Sequence, residues 1–170
     1  MFIRAKTISG KRYAYLVRTR WDKKSKKVRQ KVSRYLGPII TLDKIKDTGF
    51  FDYYNKYDSD DYINNVSIKQ LVRDLVELEL NNHGFSKKTA EIMTNGVLDV
   101  RIPYVPNVFS MNEGYLNRFT LKEIEKYDKI LDTDDKRIPF KFAGLFVNAG
   151  LDIEKNLFVE LYQRFFKDSI

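Results

Sequence analysis

An α+β fold, with a small basic three-stranded antiparallel sheet followed by a mainly helical domain, is what this chain of 170 residues predicts. Two observations carry the class: the first forty residues alternate with period two over β-forming side chains, and from Ser67 onward apolar residues recur at helical spacing. A third, the division of charge, separates the same two parts. Residues 1–40 hold thirteen basic side chains (Arg4, Lys6, Lys11, Arg12, Arg18, Arg20, Lys23, Lys24, Lys26, Lys27, Arg29, Lys31 and Arg34) against the single acid Asp22, a local excess of +12. The rest of the chain carries −4, which leaves the net +8 of the whole. Local fields rather than totals draw polyanions, so the basic end is where a nucleic acid is expected.

Phe2 to Ile8 reads as an extended segment, Ser9-Gly10 as a turn, and Lys11 to Trp21 as a second strand. Strand side chains alternate between faces. Tyr13, Tyr15, Val17, Thr19 and Trp21 therefore share one face, and Arg12, Ala14, Leu16, Arg18 and Arg20 the other. A polar turn over Asp22 to Lys26 leads to a third strand, Lys27 to Arg34, in which Lys27, Arg29 and Lys31 alternate against Val28, Gln30 and Val32. The run closes at Tyr35-Leu36-Gly37-Pro38. A sheet this small needs a cover for its apolar face, and Thr41 to Ile45 is the expected start of a short covering helix. The open face then presents Arg12, Arg18, Arg20, Lys27, Arg29 and Lys31, flanked by Lys23, Lys24 and Arg34. Such a face can enter the major groove of duplex DNA, where Arg pairs with guanine and Lys neutralises phosphate. Tyr13, Tyr15 and Trp21 offer a different chemistry, stacking on unpaired bases. A solvated face that merely protects a sheet edge needs far less charge.

The strings Lys11-Arg12-Tyr13-Ala14-Tyr15-Leu16-Val17-Arg18 and Lys27-Val28-Arg29-Gln30-Lys31-Val32, closed by Tyr35-Leu36-Gly37, resemble the N-terminal segment of a group of bacterial and archaeal insertion-sequence transposases. In those proteins an aromatic strand, a short polar turn, a basic strand and a closing Leu-Gly precede the catalytic domain. The resemblance spans residues 1–37 and implies DNA contact by this module. The long catalytic domain with metal-binding carboxylates that follows in that group has no counterpart recognised beyond residue 40.

Three parts are expected: a basic β-module over 1–46, an acidic aromatic connector over 47–66, and a mainly α-helical domain over 67–170. The connector mixes Phe50, Phe51, Tyr53, Tyr54 and Tyr57 with acids and shows no helical period. Its Asp58, Asp60 and Asp61 lack the turn glycine and closing glutamate of a calcium loop, which favours a solvated turn. Ser67 is a good N-cap for a helix through Ile68, Leu71, Val72, Leu75, Val76 and Leu78, ending near Gly84. Ser86 caps a second helix from Lys87 to Thr94, with Asn95-Gly96 as its stop. The pair has the outline of a helix-turn-helix, with Lys87, Lys88 and Thr89 in the exposed first turn and Val97 to Arg101 and Val108 to Met111 as a wing. Short helix corners with a central Gly are also common in any helical domain, and the first helix is acidic. Thr120 to Glu123 reads as a capping box for a helix to about Leu131, Asp132 to Lys136 as a loop, and Pro139 as the start of a helix that stops at Gly150. Asp152 is the expected cap of a last helix, Ile153 to Lys167. Its stripe of Leu157, Phe158, Leu161, Tyr162, Phe165 and Phe166 is read as core or as a homodimer surface.

The chain has no cysteine and one histidine, His83, which removes disulfides, thiolate zinc sites, cysteine nucleophiles and paired-histidine chemistry. His83 is expected to cap or to be solvated. No glycine-rich phosphate loop or nucleophile elbow occurs, so neither a cofactor nor a catalytic residue is expected. The alternative of an enzyme is a carboxylate-dependent magnesium nuclease using acids such as Glu77, Glu79 and Glu91. No opening apolar run or long uncharged apolar stretch suggests export or a membrane. The expectation is a non-catalytic, cytoplasmic and nucleoid-associated regulatory protein of mobile-element type, contacting duplex DNA through its basic sheet. An RNA- or ribosome-associated binding protein is the alternative of another class.

Overall fold

The computed structural model describes residues 1–55, 58–98, 108–129 and 138–166. The α+β class holds, with five strands where three were expected. Strands β1 (Phe2–Ile8) and β2 (Lys11–Asp22) form an antiparallel hairpin across Ser9-Gly10. Both turn residues sit at positive φ, 48° and 75°, the combination whose twist matches that of the flanking strands.

Strand β3 (Lys27–Thr41) is fifteen residues long and does not end at Tyr35 to Pro38. Its last residues Ile39, Ile40 and Thr41 pair in parallel with Val108, Phe109 and Ser110 of β4 (Val108–Met111), which returns antiparallel as β5 (Gly114–Leu116). The expected covering helix is absent. Thr41 closes the strand and residues 42–49 are irregular, because their amides are taken elsewhere: Leu42 N donates to Ser110 O at 2.9 Å and Ile45 N to Asn82 O at 2.9 Å. No helical ladder is left to form.

Two bulges on β3 decide which side of the hairpin is buried. Ser33 and Leu36 are the extra residues, since the register passes from Leu16↔Arg34 to Val17↔Val32 and from Ala14↔Gly37 to Tyr15↔Tyr35. Bulges bend a strand and increase its twist. Leu36 thereby joins Ala14, Leu16 and Val108 in a small apolar cluster against Ile3, Ile39, Tyr115 and Phe119. The side carrying Ala14 and Leu16 is thus the one packed into this cluster, while on the side that the period-two pattern marked as needing cover Val17 is buried, Tyr13 and Tyr15 are half-buried and Trp21 is exposed.

The segment read as a connector contributes two short helices, α1 (Phe50–Tyr53) and α2 (Ser59–Asn65). Asp58 is an N-cap rather than a turn residue, its Oδ1 accepting from Asp61 N at 3.0 Å. Phe50, Tyr54, Tyr62, Ile63 and Val66 are buried in the main core. Helix α3 (Ile68–Asn82) starts at the predicted cap, Ser67, and is buried over much of its surface, with Ile68, Leu71, Val72, Leu75, Val76 and Leu80 almost fully enclosed and the polar Asp74, Glu79, Asn81 and Asn82 buried as well.

Helix α4 (Lys87–Leu98) runs through Asn95-Gly96 rather than stopping there. Val97 and Leu98 therefore belong to a helix, residues 99–101 lie outside the described residues, and β4 is occupied by β3 and β5, so the expected wing is not formed by these segments. The capping box of α5 (Arg118–Glu125) is Asn117 with Thr120, three residues before the one expected. A 3-10 turn, Lys126–Lys129, follows; Leu131 and the loop 132–136 lie outside the described residues. Helix α6 (Ile138–Ala149) ends at Gly150, with φ at 73°. Helix α7 (Lys155–Phe165) begins after Glu154, not at Ile153. Asp152 does not cap it, because the Asp152 amide is held by Glu79 Oε1 at 3.0 Å and its carboxylate by Lys44 at 3.5 Å. Leu157, Leu161 and Phe166 are buried in the main core with Tyr162 and Phe165 packed against it, so the apolar stripe is used within the chain. Lys167 lies outside the described residues.

Gly114 marks the tightest approach. A Cβ there would lie 2.1 Å from Val147 O and 2.2 Å from Gly150 N, so the β4–β5 hairpin meets the end of α6 backbone to backbone.

Candidate nucleic-acid interface

Beyond Val17 the β2–β3 hairpin leaves the core and continues as a two-stranded arm. Every residue from Arg18 to Trp21 and from Lys26 to Tyr35 is exposed. The cross-strand register sorts them into two faces. On one, Arg18 lies opposite Lys31, Arg20 opposite Arg29 and Asp22 opposite Lys27. On the other, Val17 lies opposite Val32, Thr19 opposite Gln30 and Trp21 opposite Val28.

Like charges set directly opposite destabilise a strand pair, and this arm places two such pairs in succession. The single acid is spoken for: Asp22 Oδ2 meets Arg29 Nε at 2.8 Å, while its Oδ1 accepts from Lys24 N at 3.0 Å and Ser25 N at 3.4 Å. The neighbouring Ser25 side chain, followed by the Lys24 and Ser25 amides, holds the Asp22 carboxyl below its ordinary pKa. These bonds also shape the arm's tip, where Lys23, Lys24 and Lys26 are exposed. Among the described residues, Arg18, Arg20, Lys27, Lys31 and Arg34 meet no carboxylate.

Beyond Val17, which is buried, the opposite face is largely apolar and open. Trp21 is 57% exposed, Val28 59%, Val32 58% and Tyr35 50%. Nearer the core, Tyr35 stacks at a tilt on Tyr15 and Tyr13, with ring centroids 5.4 and 6.3 Å apart. The sequence-predicted aromatics Tyr13, Tyr15 and Trp21 thus share a face as expected, but a different face from the cations. Tyr35 belongs with them and was missed, since it was read as part of the strand's close.

Two predicted contacts sit elsewhere. Arg12 lies at the base of the hairpin, with Nη1 3.4 Å from Thr41 Oγ1 and Nη2 3.4 Å from Tyr115 OH, where it bridges β3 and β5. Lys87 places Nζ 4.7 Å over the Tyr53 ring and 5.8 Å over the Tyr54 ring, a cation–π contact inside the chain. Thr89 serves the start of α4, its N donating to Ser86 Oγ at 3.3 Å. Of this first turn, Lys88 is left as an exposed cation.

The acids considered for metal are dispersed in role. Glu77 accepts from Tyr53 OH at 3.0 Å, and burial, followed by this bond, raises the Tyr53 pKa. Glu79 is 1% exposed. Its Oε1 accepts from Asp152 N at 3.0 Å and its Oε2 from Asn112 Nδ2 at 3.0 Å, and Asn112 also donates to Gly150 O at 2.9 Å. His83 is buried at the end of α3, with Nδ1 2.8 Å from Glu79 O. Burial pushes the Glu79 carboxyl above its ordinary pKa, against the opposing effect of Asn112, Asp152 N, His83 and Lys44. The cluster ties α3 to the β4–β5 turn and to the α6–α7 junction. No group of three or more His, Asp or Glu placed to hold a metal occurs among the described residues, and no helix there is long and apolar enough to cross a membrane.

Comparison with family models, curated proteins and solved structures gave no match.

Proposed function

We propose that the protein binds duplex DNA without catalysis, through the cationic face of the β2–β3 arm. The observation that carries this reading is the succession of like-charge pairs, Arg18 with Lys31 and Arg20 with Arg29, on an exposed two-stranded ribbon. A folded arm gains nothing from that arrangement by itself; a polyanion laid along it meets Arg18, Arg20 and Lys31, which face no carboxylate among the described residues, beside the Arg29 that Asp22 already pairs. A ribbon of two strands is also of the width that the major groove admits. Lys23 and Lys24 at the tip supply further phosphate contacts, and a nucleoid-associated regulatory role follows from the same chemistry.

The open Trp21, Val28 and Tyr35 face supports a second reading, in which unpaired bases of single-stranded nucleic acid or RNA stack on the aromatics. Binding of the protein to duplex DNA, single-stranded DNA and structured RNA at several salt concentrations separates the two. Preference for the duplex, with Arg18→Ala plus Arg29→Ala lowering affinity and flattening the salt dependence, supports the first. Preference for unpaired substrates and sensitivity to Trp21→Ala supports the second. If the double Arg variant bound all three as tightly as the parent, the arm would not be the interface.

A further inference from the structure

The cationic row of the arm does not end where the arm meets the core. Alternate residues of β2 share a face, and Arg34 lies opposite Leu16 on the same side as Lys31 opposite Arg18 and Arg29 opposite Arg20. Arg34 lines a cleft of about 270 Å³ together with Leu36, Asn117, Arg118, Phe119 and Lys122. Strand β3 thus supplies one cation and helix α5 two. None of the six lining residues is acidic, in contrast to the cleft beside α1, where Asp47, Asp52, Glu79, Asp152 and Glu154 surround Lys44.

We infer that the Arg34–Lys122 cleft is a phosphate-binding site that continues the nucleic-acid track of the arm, taking a backbone phosphodiester. The inference rests on the nucleic-acid reading above and extends it from Arg34 to Lys122 and Arg118 of α5, which neither composition nor motif marked. Arg34 and Lys122 are both exposed and meet no carboxylate among the described residues. Arg118, on the same wall, donates from Nη2 to Gly96 O at 3.1 Å. The floor is apolar, from Leu36 and Phe119, which lowers the local dielectric and strengthens the field that the cations exert on an entering anion. Asn117 is committed to capping α5, with Oδ1 accepting from Phe119 N at 2.9 Å, and so fixes the wall that carries Arg118 and Lys122. The cleft has several times the roughly 30 Å³ that a water occupies in the liquid, enough for a phosphate group.

The geometry makes the track long. At about 3.3 Å per strand residue, Lys27 to Arg34 spans on the order of 20 Å, and each 1.7 Å of duplex axis carries about one phosphate charge. A ligand too short to reach from the tip to α5 occupies the arm and leaves the cleft empty.

The test uses the full chain with Lys122→Ala, Lys122→Glu and Arg34→Ala, and Lys69→Ala on exposed α3 surface as the control. Surface changes of this kind alter stability little, and matched thermal midpoints verify that each variant is folded. On a duplex of about twenty base pairs, Lys122→Ala and Arg34→Ala are each expected to weaken binding several-fold and to reduce the slope of log affinity against log salt by about 0.9. Lys122→Glu reduces both further, and Lys69→Ala changes neither. Retention of the parental slope by folded Lys122→Glu, while Arg18→Ala plus Arg29→Ala still weakens binding, would overturn the cleft and leave the arm standing. A parent that binds no nucleic acid overturns both.

Discussion

In the arm beyond Val17, Arg20 faces Arg29 and Arg18 faces Lys31 with one carboxylate nearby, whereas around Glu79 both carboxylate oxygens meet donors and the backbone of three elements converges. The two regions spend polar residues in opposite ways. Glu79, Asn112 and the Asp152 amide satisfy one another inside the chain, at a site where an unmet partner costs the full desolvation of the group. The arm leaves its cations exposed and adjacent, where among the described residues Asp22 is their one carboxylate partner, on Arg29, and solvent screening limits the remaining repulsion. Polar groups in the first region hold the fold together; those in the second stand open to solvent, as the proposed nucleic-acid contact requires.

Substitutions confined to one of the two regions should change mainly binding or mainly stability. The largest effect is expected on binding. Replacing Arg18, Arg20, Arg29 and Lys31 together by Ala should lower affinity for duplex DNA about a thousandfold at low salt and reduce the salt slope by about 3.6, with the thermal midpoint unchanged or raised. Next comes Glu79→Ala, which leaves Asn112 Nδ2 and the Asp152 amide without their acceptor in a buried site; a loss of about 3 kcal/mol in urea unfolding is expected, while any protein still folded binds DNA as the parent does. Gly114→Ala forces a Cβ against Val147 O and should cost about 2 kcal/mol by overpacking, again without changing the salt slope.

Two smaller effects probe the charges directly. Because burial raises the Glu79 pKa in the folded state, the folded protein holds its proton more tightly than the unfolded chain. The stability this confers is complete below the ordinary carboxylate pKa and is lost as pH rises through the raised value. The stability of the parent minus that of Glu79→Gln should therefore fall from acid toward neutral pH in urea titrations, and a value that rose with pH would contradict the burial argument. Lys31→Glu replaces a like pair by an opposite one facing Arg18 and should raise stability by a few tenths of a kcal/mol, while weakening DNA binding. A fall in stability would show that the arm's charges are not in conflict.

The first hairpin was legible because Ser9-Gly10 is a turn signal between alternating runs, and the cationic row because alternation places Arg18, Arg20, Lys27, Arg29 and Lys31 by parity alone. Ser67, Ser86 and Gly150 marked helix ends through local chemistry. What was hidden was non-local. Gly37-Pro38 reads as a stop, yet β3 continues through it, because bulges at Ser33 and Leu36 re-aim the strand toward β4, some seventy residues later in the chain. That pairing also turned the Ala14 and Leu16 side inward, the side read as open. Helices α1 and α2, four and seven residues long, are too short to show a period. The helix expected over Thr41 to Ile45 failed because Ser110 and Asn82 claimed its amides. Arg34 was named as a contact, but its meeting with Lys122 depends on how α5 docks, which no spacing reveals.

The most direct measurement is an NMR titration of the full chain with a duplex of about twenty base pairs, following backbone amides and the Trp21 indole. Shifts concentrated between Arg18 and Arg34, with residues around Glu79 and Asn112 unmoved, are the predicted result. Shifts centred on the helical region, with the arm silent at saturating DNA, would contradict the account.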